Sequence, residues 1–448
     1  MQPRQSKNLL ERFLGLFTDV RAGEGTTALI LTLNVFVLLA VYYMIKPVRE
    51  ALILTGGGAE IKAYASAGQG LLLLGAVQVY AALASRLSRR RLINGVTLFF
   101  AACLVVFYLL AQLQVALGVI FYLWVGIFNL MVIAQFWSFA NDIYTVESGK
   151  RLFPVVAFGA SCGAVFGGPI SDLLIGPLGI YQMFLVASLG LALSLLMTNY
   201  VDARARRSGT DETGVATVRE EQPIGKGGAF RLVLRNRYLL LIALLIMLLN
   251  WVNTTGEYIL SRTVAQAAAR AVAADPTGAL VQKEFIRQFY ASFFTVVNLL
   301  GLLIQLFLVS RIIRYLGVRI ALLILPFIAL GGYTILAFFP ILAVVRWAKT
   351  SENATDYSLQ NTVRQVLFLP TTREQKYKAK QAIDTFFVRA GDVLSAGLVF
   401  AGVNWLLLKT EHFAMVNLGL VVVWIVLAVL IARENRKLTS EGERESPA

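Results

Sequence analysis

TTALILTLNVFVLLAVYYMIKPVREALIL, residues Thr26 to Leu54, decides how this chain is read. Thr26 to Tyr43 is almost wholly apolar, on the scale of a helix that crosses a hydrocarbon core of about 30 Å. Then Lys46, Pro47, Arg49 and Glu50 intervene, and the apolar run resumes at Ala51-Leu52-Ile53-Leu54. Residues three and four apart are neighbours on a helix, so Lys46, Arg49 and Glu50 share a face. Pro47 lacks a backbone donor and kinks the helix or frees a carbonyl. Charges within a membrane are costly and are kept mainly where a pathway or ligand needs them. On that reading the three charges line a wet, protein-walled cavity. The alternative ends the helix at Tyr43 and makes them interfacial.

The rest of the chain extends the pattern. It has 448 residues, 57% hydrophobic and 15% charged, against about 25% charged in soluble domains. Apolar runs near spanning length recur, whereas a β-barrel would show short alternating segments. The fold class is an all-α polytopic membrane protein. Its expected 12 transmembrane helices lie near 26–54, 62–84, 92–112, 116–143, 152–174, 180–200, 238–260, 286–309, 318–338, 341–368, 378–402 and 413–433. Basic residues gather in alternate loops, at Arg86 and Arg89–Arg91, Lys150-Arg151, Arg204–Arg207, Arg311–Arg319, Arg373–Lys378 and Arg433–Lys437. The basic side is the cytoplasmic one, so both termini are expected inside. The long, mixed-charge loop from Arg262 to Arg287 is expected outside.

The net charge of +15 is explained by this asymmetry, without nucleic acid as a partner. Residues 1–25 form a polar cytoplasmic segment without the core and cleavage site of a secretory signal. Cys103 and Cys162 fall inside expected helices, so neither a disulfide nor a metal site is expected. His412 is the only histidine, which argues against a histidine proton relay or metal centre. Gly225-Lys226-Gly227-Gly228 lacks the spacing of a phosphate loop. No hydrolase or kinase constellation appears, so the chain is read as a non-enzyme without a cofactor.

Residues 26–200 and 238–433 form two expected six-helix halves, joined by a cytoplasmic linker, 201–237, and followed by a cytoplasmic tail, 434–448. Arg49-Glu50-Ala51-Leu52-Ile53-Leu54 is echoed by Gly256-Glu257-Tyr258-Ile259-Leu260-Ser261. Ala63-Tyr64-Ala65-Ser66 is echoed by Phe289-Tyr290-Ala291-Ser292. Two parallel six-helix pseudo-repeats are the major-facilitator plan, in which the substrate site lies between the halves near the midplane.

Further polar residues mark the spans. Helix 7 carries Asn250, Asn253, Thr254, Thr255 and Glu257. Its asparagines serve either a site or helix–helix hydrogen bonding, while Glu257 needs a cation or a proton at that depth. Helix 4 ends in Asn141-Asp142, where Asp142 is either a cavity carboxylate or an interfacial cap. Helix 10 repeats Arg346, Lys349, Glu352, Asn353, Asp356, Gln360, Asn361 and Arg364 along one face, the lining of a channel or the polar side of an amphipathic helix. Helix 11 opens with Lys380-Gln381-Ala382-Ile383-Asp384 and continues to Arg389 and Asp392. Gly159, Gly163 and Gly167, four apart, are packing residues.

Phe139-Ala140-Asn141-Asp142-Ile143, Lys150-Arg151-Leu152-Phe153 and Gly159-Ala160 resemble the "FANEI…AKRFY…GA" stretch of the ATP/ADP translocases of plastids and obligate intracellular bacteria. Asp356-Tyr357-Ser358-Leu359 resembles their "DYSLFD" helix. Lys380-Gln381-Ala382-Ile383-Asp384 resembles "KAAID", and Lys46-Pro47-Val48-Arg49-Glu50-Ala51-Leu52 is similar to "RDTKDTL". The resemblance spans roughly residues 30 to 405 and implies a 12-helix carrier that exchanges ATP for ADP or imports nucleotides with protons. It implies that phosphates meet Lys46, Arg49, Lys380 and Arg389 by charge-assisted hydrogen bonds. Asp142, Glu257 and Asp384 would balance those cations when the carrier is empty. Glu50, Asn141, Asn253, Arg346, Asp356 and Tyr357 complete the candidate substrate-binding set. Two departures stand out. Arg49 replaces the family's lysine with a planar fork. Asp392 stands where the family often has lysine, which weakens the case for a triphosphate. The expected partners are a nucleotide, the bilayer, and a coupling proton or exchanged phosphate. The expected location is a bacterial inner membrane. Since a fold does not fix a substrate, two alternatives stay open. One is a carrier of another organic anion. The other is a non-transporting membrane protein that binds a partner through Arg262–Arg287 or the linker.

Overall fold

The computed structural model describes residues 20–21, 23–84, 86–144, 146–207, 229–275, 281–368, 370–371 and 379–445. Their regular structure is helical. In chain order the elements are α1 (Gly25–Ala84), α2 (Arg89–Gln112), α3 (Gly118–Ile143), α4 (Val146–Leu178), α5 (Met183–Arg207), α6 (Ala229–Arg235) and α7 (Arg237–Ala273). These are followed by α8 (Gln282–Leu303), α9 (Ser310–Phe338), α10 (Leu342–Thr355), α11 (Asn361–Leu367), α12 (Lys380–Ala382), α13 (Val388–Asn404) and α14 (Thr410–Glu445). Among the described residues, nine helical runs are long and apolar enough to cross a membrane. The chain is a multi-pass α-helical protein.

Two of those runs, Gly25–Tyr80 and Gln282–Phe338, have 56 and 57 residues, about twice what one crossing needs. Each contains a break at a glycine with positive φ, Gly58 at 74° and Gly317 at 77°. That backbone region is open to glycine and strained for other residues. The first break falls between expected helices 1 and 2, and the second just ahead of expected helix 9. Lys46, Arg49 and Glu50 lie within continuous helix before Gly58. The helix therefore does not stop at Tyr43.

One expectation is corrected, and two segments gain detail. The stretch expected as a loop from Arg262 is helical to Ala273, and helix resumes at Gln282. Val264-Ala265-Gln266-Ala267-Ala268-Ala269 explains this, since alanine has the highest helix propensity. The expected linker is helical at both ends, to Arg207 and from Ala229. Its middle, 208–228, lies outside the described residues, as do most of residues 1–25. The tail beyond 434 continues α14 to Glu445, being rich in Glu, Arg and Lys, which form helix well.

The contacts divide the chain into two units. The first holds the described residues up to Leu52, those from Leu72 to Arg207, and Arg287–Thr295. The second holds Ile53–Leu71, those from Ala229 to Ile286, and those from Val296 onward. The first unit has an aromatic spine on α2, α3 and α5. Trp124 stacks on Phe128 with ring centroids 5.3 Å apart, and Phe100, Phe107, Phe121 and Phe184 pack around them. Here α4 lies directly on α1. Added Cβ atoms at Gly159 and Gly163 would come within 2.4 Å of the carbonyl oxygens of Thr32 and Phe36. In the second unit α7 is central, with α10, α13 and α14 packed on it.

π-helical stretches interrupt the helices, among them Ile304–Val309, Asp356–Gln360 and Ile383–Phe387. The last two coincide with the sequence stretches DYSLQ and IDTFF. Such bulges change the direction of the following side chains and are frequent at functional sites.

Candidate functional site

In the first unit the candidates Lys46, Arg49 and Glu50 follow one another along α1. Glu50 is 1% exposed and Arg49 11% exposed, so both have left water and each needs compensation. Arg49 forms an ion pair with Glu50, and its Nε lies 3.1 Å from Glu50 Oε1. The guanidinium also lies over the Tyr122 ring of α3, 4.6 Å from its centroid. Lys46 is buried. Its Nζ is 3.7 Å from the centroid of Phe294 and 5.1 Å from that of Tyr43. Aromatic faces carry partial negative charge and hold a desolvated cation at such distances. This corner offers two cations, one carboxylate and several rings, the chemistry for an anion that also carries a flat apolar group.

Asn141 and Asp142 stand elsewhere, exposed at the end of α3. Asp142 is 3.6 Å from Arg89, which binds the buried Asp202 at 2.7 Å. Arg206 reaches Asp202 from the other side at 3.2 Å. Asp142 thus belongs to a network that joins α2, α3 and α5.

In the second unit Asn253 and Glu257 on α7 join a buried network that the candidate set omitted. Lys349 of α10, 1% exposed, donates to Asn253 Oδ1 at 2.8 Å. The same ammonium lies 3.1 Å from Glu352 and 3.8 Å from Glu257. Asn353 donates to Glu257 at 3.0 Å, and the Tyr333 hydroxyl of α9 donates to Glu352 at 3.0 Å. A Cβ at Gly256 would sit 2.1 Å from Tyr333 Oη and 3.0 Å from Lys349 Nζ. The glycine is what lets the network lie against the α7 backbone. Lys349, Glu352 and Asn353 belong to the polar face of helix 10 visible in the sequence. Tyr333 had no such signal, being one aromatic in an apolar helix.

A second network ties α13 to α7. Asp392, buried, accepts from Asn250 at 2.7 Å, from Thr254 at 2.8 Å and from Arg389 at 3.0 Å. Beside it an added Cβ at Gly391 would be 2.5 Å from the Met247 carbonyl oxygen. Arg389 is therefore already engaged by a carboxylate. Asp384 pairs with Arg364 at 3.1 Å, and Lys380 contacts Gln365 and lies 5.8 Å from the Phe368 ring. Asp356 and Tyr357 open the π-helical stretch, and Tyr357 is half exposed. Arg346 lies one helical turn before Lys349 on α10 and is partly buried.

Both units hold buried charges on long apolar helices. The family model described as TLC ATP/ADP transporter matches residues 117–353, more than half of the chain. The chain belongs to the TLC ATP/ADP transporter family. Relatives include ADP,ATP carrier protein 1 of Chlamydia muridarum, 24% identical over 376 residues, covering 71% of this chain and 68% of that one. Another is the chloroplastic ADP,ATP carrier protein 1 of Arabidopsis thaliana, 24% identical over 355 residues, covering 71% of this chain. The chain spans 54% of the length of that plastid protein. Among solved structures, the nucleoside transporter NupG superposes with a TM-score of 0.61 at 12% identity, covering 92% of this chain and 99% of NupG. The POT family transporter PepTSo gives 0.62 at 11% identity, covering 92% and 98%. These likenesses show the fold, a major-facilitator-like one. This TLC family member is a multi-pass membrane transporter of the nucleotide-carrier type and not an enzyme.

Proposed function

We propose that the protein exchanges adenine nucleotides, ATP for ADP, across a bacterial inner membrane by alternating access. The observation that carries the reading is the pair Lys46 and Arg49. In a TLC transporter, two buried cations lie on aromatic rings within continuous apolar helix. Phosphates bind fixed cations by charge-assisted hydrogen bonds, and a purine ring takes the aromatic faces. Lys380, Arg389 and Arg346 are further proposed phosphate contacts. Glu50, Glu257 and Asp384 hold cations in the empty carrier. Asn141, Asp142, Asn253, Asp356 and Tyr357 complete the proposed set.

The proposed architecture is 12 crossings in two pseudo-repeats with both termini cytoplasmic. Nine candidate spans become 12 when each double-length run is divided at its glycine and the polar run of α10 and α11 is counted. The basic alternate loops support the orientation.

The test is uptake of labelled ATP into proteoliposomes loaded with ADP or left empty. Uptake that requires internal ADP is the expected result. No uptake, together with no competition by any nucleotide in a binding assay, would overturn the reading. A second reading, a carrier of a less highly charged organic anion, is favoured by the Asp392 carboxylate on Arg389. Under it, an unlabelled monoanion outcompetes ATP in the same assay.

A further inference from the structure

We propose that the second unit carries a binding site for a phospholipid with an anionic headgroup, where the Gly317 turn of α9 meets the end of α11 and the last part of α14. The site uses none of the candidate substrate contacts, and it does not depend on which anion the carrier moves.

A cavity of about 590 Å³ lies at this junction. Leu316, Val318, Val366 and Pro370 form its apolar walls, and Arg319 and Asn435 supply its polar side chains. The lining therefore carries a guanidinium and no acid. Asn435 is fixed in place, since it donates to Tyr238 Oη at 2.9 Å and that hydroxyl donates to the Leu367 carbonyl at 2.8 Å. Arg319 is exposed, and among the described residues no carboxylate pairs with it. Glu434, the acid next to Asn435 in the chain, is engaged by Lys437 at 3.2 Å and Arg237 at 3.8 Å. At Gly317 an added Cβ would meet nothing within 4 Å, so the turn borders open space.

An apolar groove begins at the next residue of α9. It holds about 420 Å³ and is lined by Ile320, Leu323, Ile324, Phe327 and Ile328. Positions three and four apart share a helix face, so these five form one stripe, about 12 Å long at about 1.5 Å per residue. Ile320 and Phe327 are half exposed. A cation-bearing cavity at the head of an apolar groove matches the two parts of a phospholipid. The phosphate takes Arg319 by a charge-assisted hydrogen bond, and the first part of an acyl chain lies along the stripe.

Bulk lipid covers any apolar face of a spanning helix, yet that gives no reason for a cavity with a guanidinium at its head. The excess of basic residues on the cytoplasmic side accounts for an arginine near Gly317, but not for the clamped asparagine in the same lining. A soluble anion would use the cavity and leave the groove empty. Basic pockets between spanning helices on the cytoplasmic side bind anionic headgroups, and the basic run Arg311–Arg319 puts the Gly317 turn on that side in the proposed topology. A lipid seated here touches α9, α11 and α14 together. It braces a turn whose glycine holds a φ of 77°, so its removal loosens the second unit.

The experiment uses the full-length protein in detergent, with bound lipid counted by native mass spectrometry. The probes are phosphatidylglycerol and phosphatidylcholine with identical acyl chains, and glycerol 1-phosphate, which has the phosphate without chains. The first phosphatidylglycerol is expected to bind about tenfold more tightly than the first phosphatidylcholine, the scale of one hydrogen bond between charged groups. In R319Q that ratio falls to about one. In R90Q, which removes an exposed arginine from α2 in the first unit, it is unchanged. Equal binding of the two lipids by the wild type, or a preference that survives in R319Q, would overturn the proposal. Displacement of the lipid by an equal concentration of glycerol 1-phosphate or ATP would also overturn it, by showing a site for soluble anions. A second measurement covers the case in which R319Q does not fold. Phosphatidylglycerol raises the melting temperature of the wild type above its value in phosphatidylcholine, because a ligand bound by the folded state stabilises it. Ile324→Trp places an indole in the groove and removes that margin, and an equal margin in both proteins overturns the site.

Discussion

Arg49 has two attachments, the Tyr122 ring and the Glu50 carboxylate, and substitutions can separate them. Arg49→Ala leaves Glu50 buried without its guanidinium, which costs about 3–5 kcal/mol when a buried pair is broken from one side. The expected outcome is loss of uptake together with a lower melting temperature in detergent. Arg49→Ala with Glu50→Gln removes both charges and recovers most of the stability, yet uptake stays lost if Arg49 meets the substrate. Full uptake by the single variant would remove Arg49 from the site. In the second unit Gly256→Ala forces a methyl towards Tyr333 Oη, where 2.1 Å is available. Overpacking of this kind costs about 1–3 kcal/mol. Tyr333→Phe in the same background removes the clashing hydroxyl and recovers part of the loss in a thermal unfolding assay.

At the scale of elements, α1 and α4 are pressed together along three glycines. Gly159→Ala, Gly163→Ala and Gly167→Ala each drive a methyl into α1, at Thr32, Phe36 and Ala40 respectively. Each is expected to lose about 1–3 kcal/mol in unfolding measurements, whereas Gly95→Ala on α2, which meets nothing within 4 Å, is neutral or slightly stabilising. The three glycines were legible in the sequence because their four-residue spacing is a helix-face pattern. The spans were legible for a similar reason, since an apolar run of about 20 residues has few other uses. The extent of α7 was not, because an alanine-rich stretch with scattered charges reads as a polar loop by composition and as helix by propensity. The site was legible only as a list of costly charges. Sequence spacing put Lys46, Arg49 and Glu50 on one face. It could not pair Glu257 with Lys349, which is 92 positions away in the chain and held at 3.8 Å by the packing of α10 on α7. Nor could it bring in Tyr333, whose role depends on a hydroxyl reaching across from another helix.

At the scale of the whole molecule, the proposed topology makes a labelling prediction. A cysteine introduced at Gly176 should react with an impermeant maleimide added outside cells. One introduced at Ser440 should react only after the membrane is opened, in a background where Cys103 and Cys162 are replaced. The reverse pattern would invert the orientation. The two units also have an uneven relation to the order of synthesis. The first unit needs Arg287–Thr295, a piece of the second half of the sequence, and the second needs Ile53–Leu71 from the first half. A ribosome that has passed the 208–228 segment has therefore made neither unit in full. The insertion machinery must hold five long helices and an incomplete packing surface until Thr295 emerges, and shelter them from association with neighbours during that interval. The same bookkeeping predicts that a gene cut within 208–228 gives two fragments that are degraded when expressed singly and accumulate when expressed together. The quality-control proteases of the host membrane, by this logic, read completion of the chain at residue 295 and not at the midpoint.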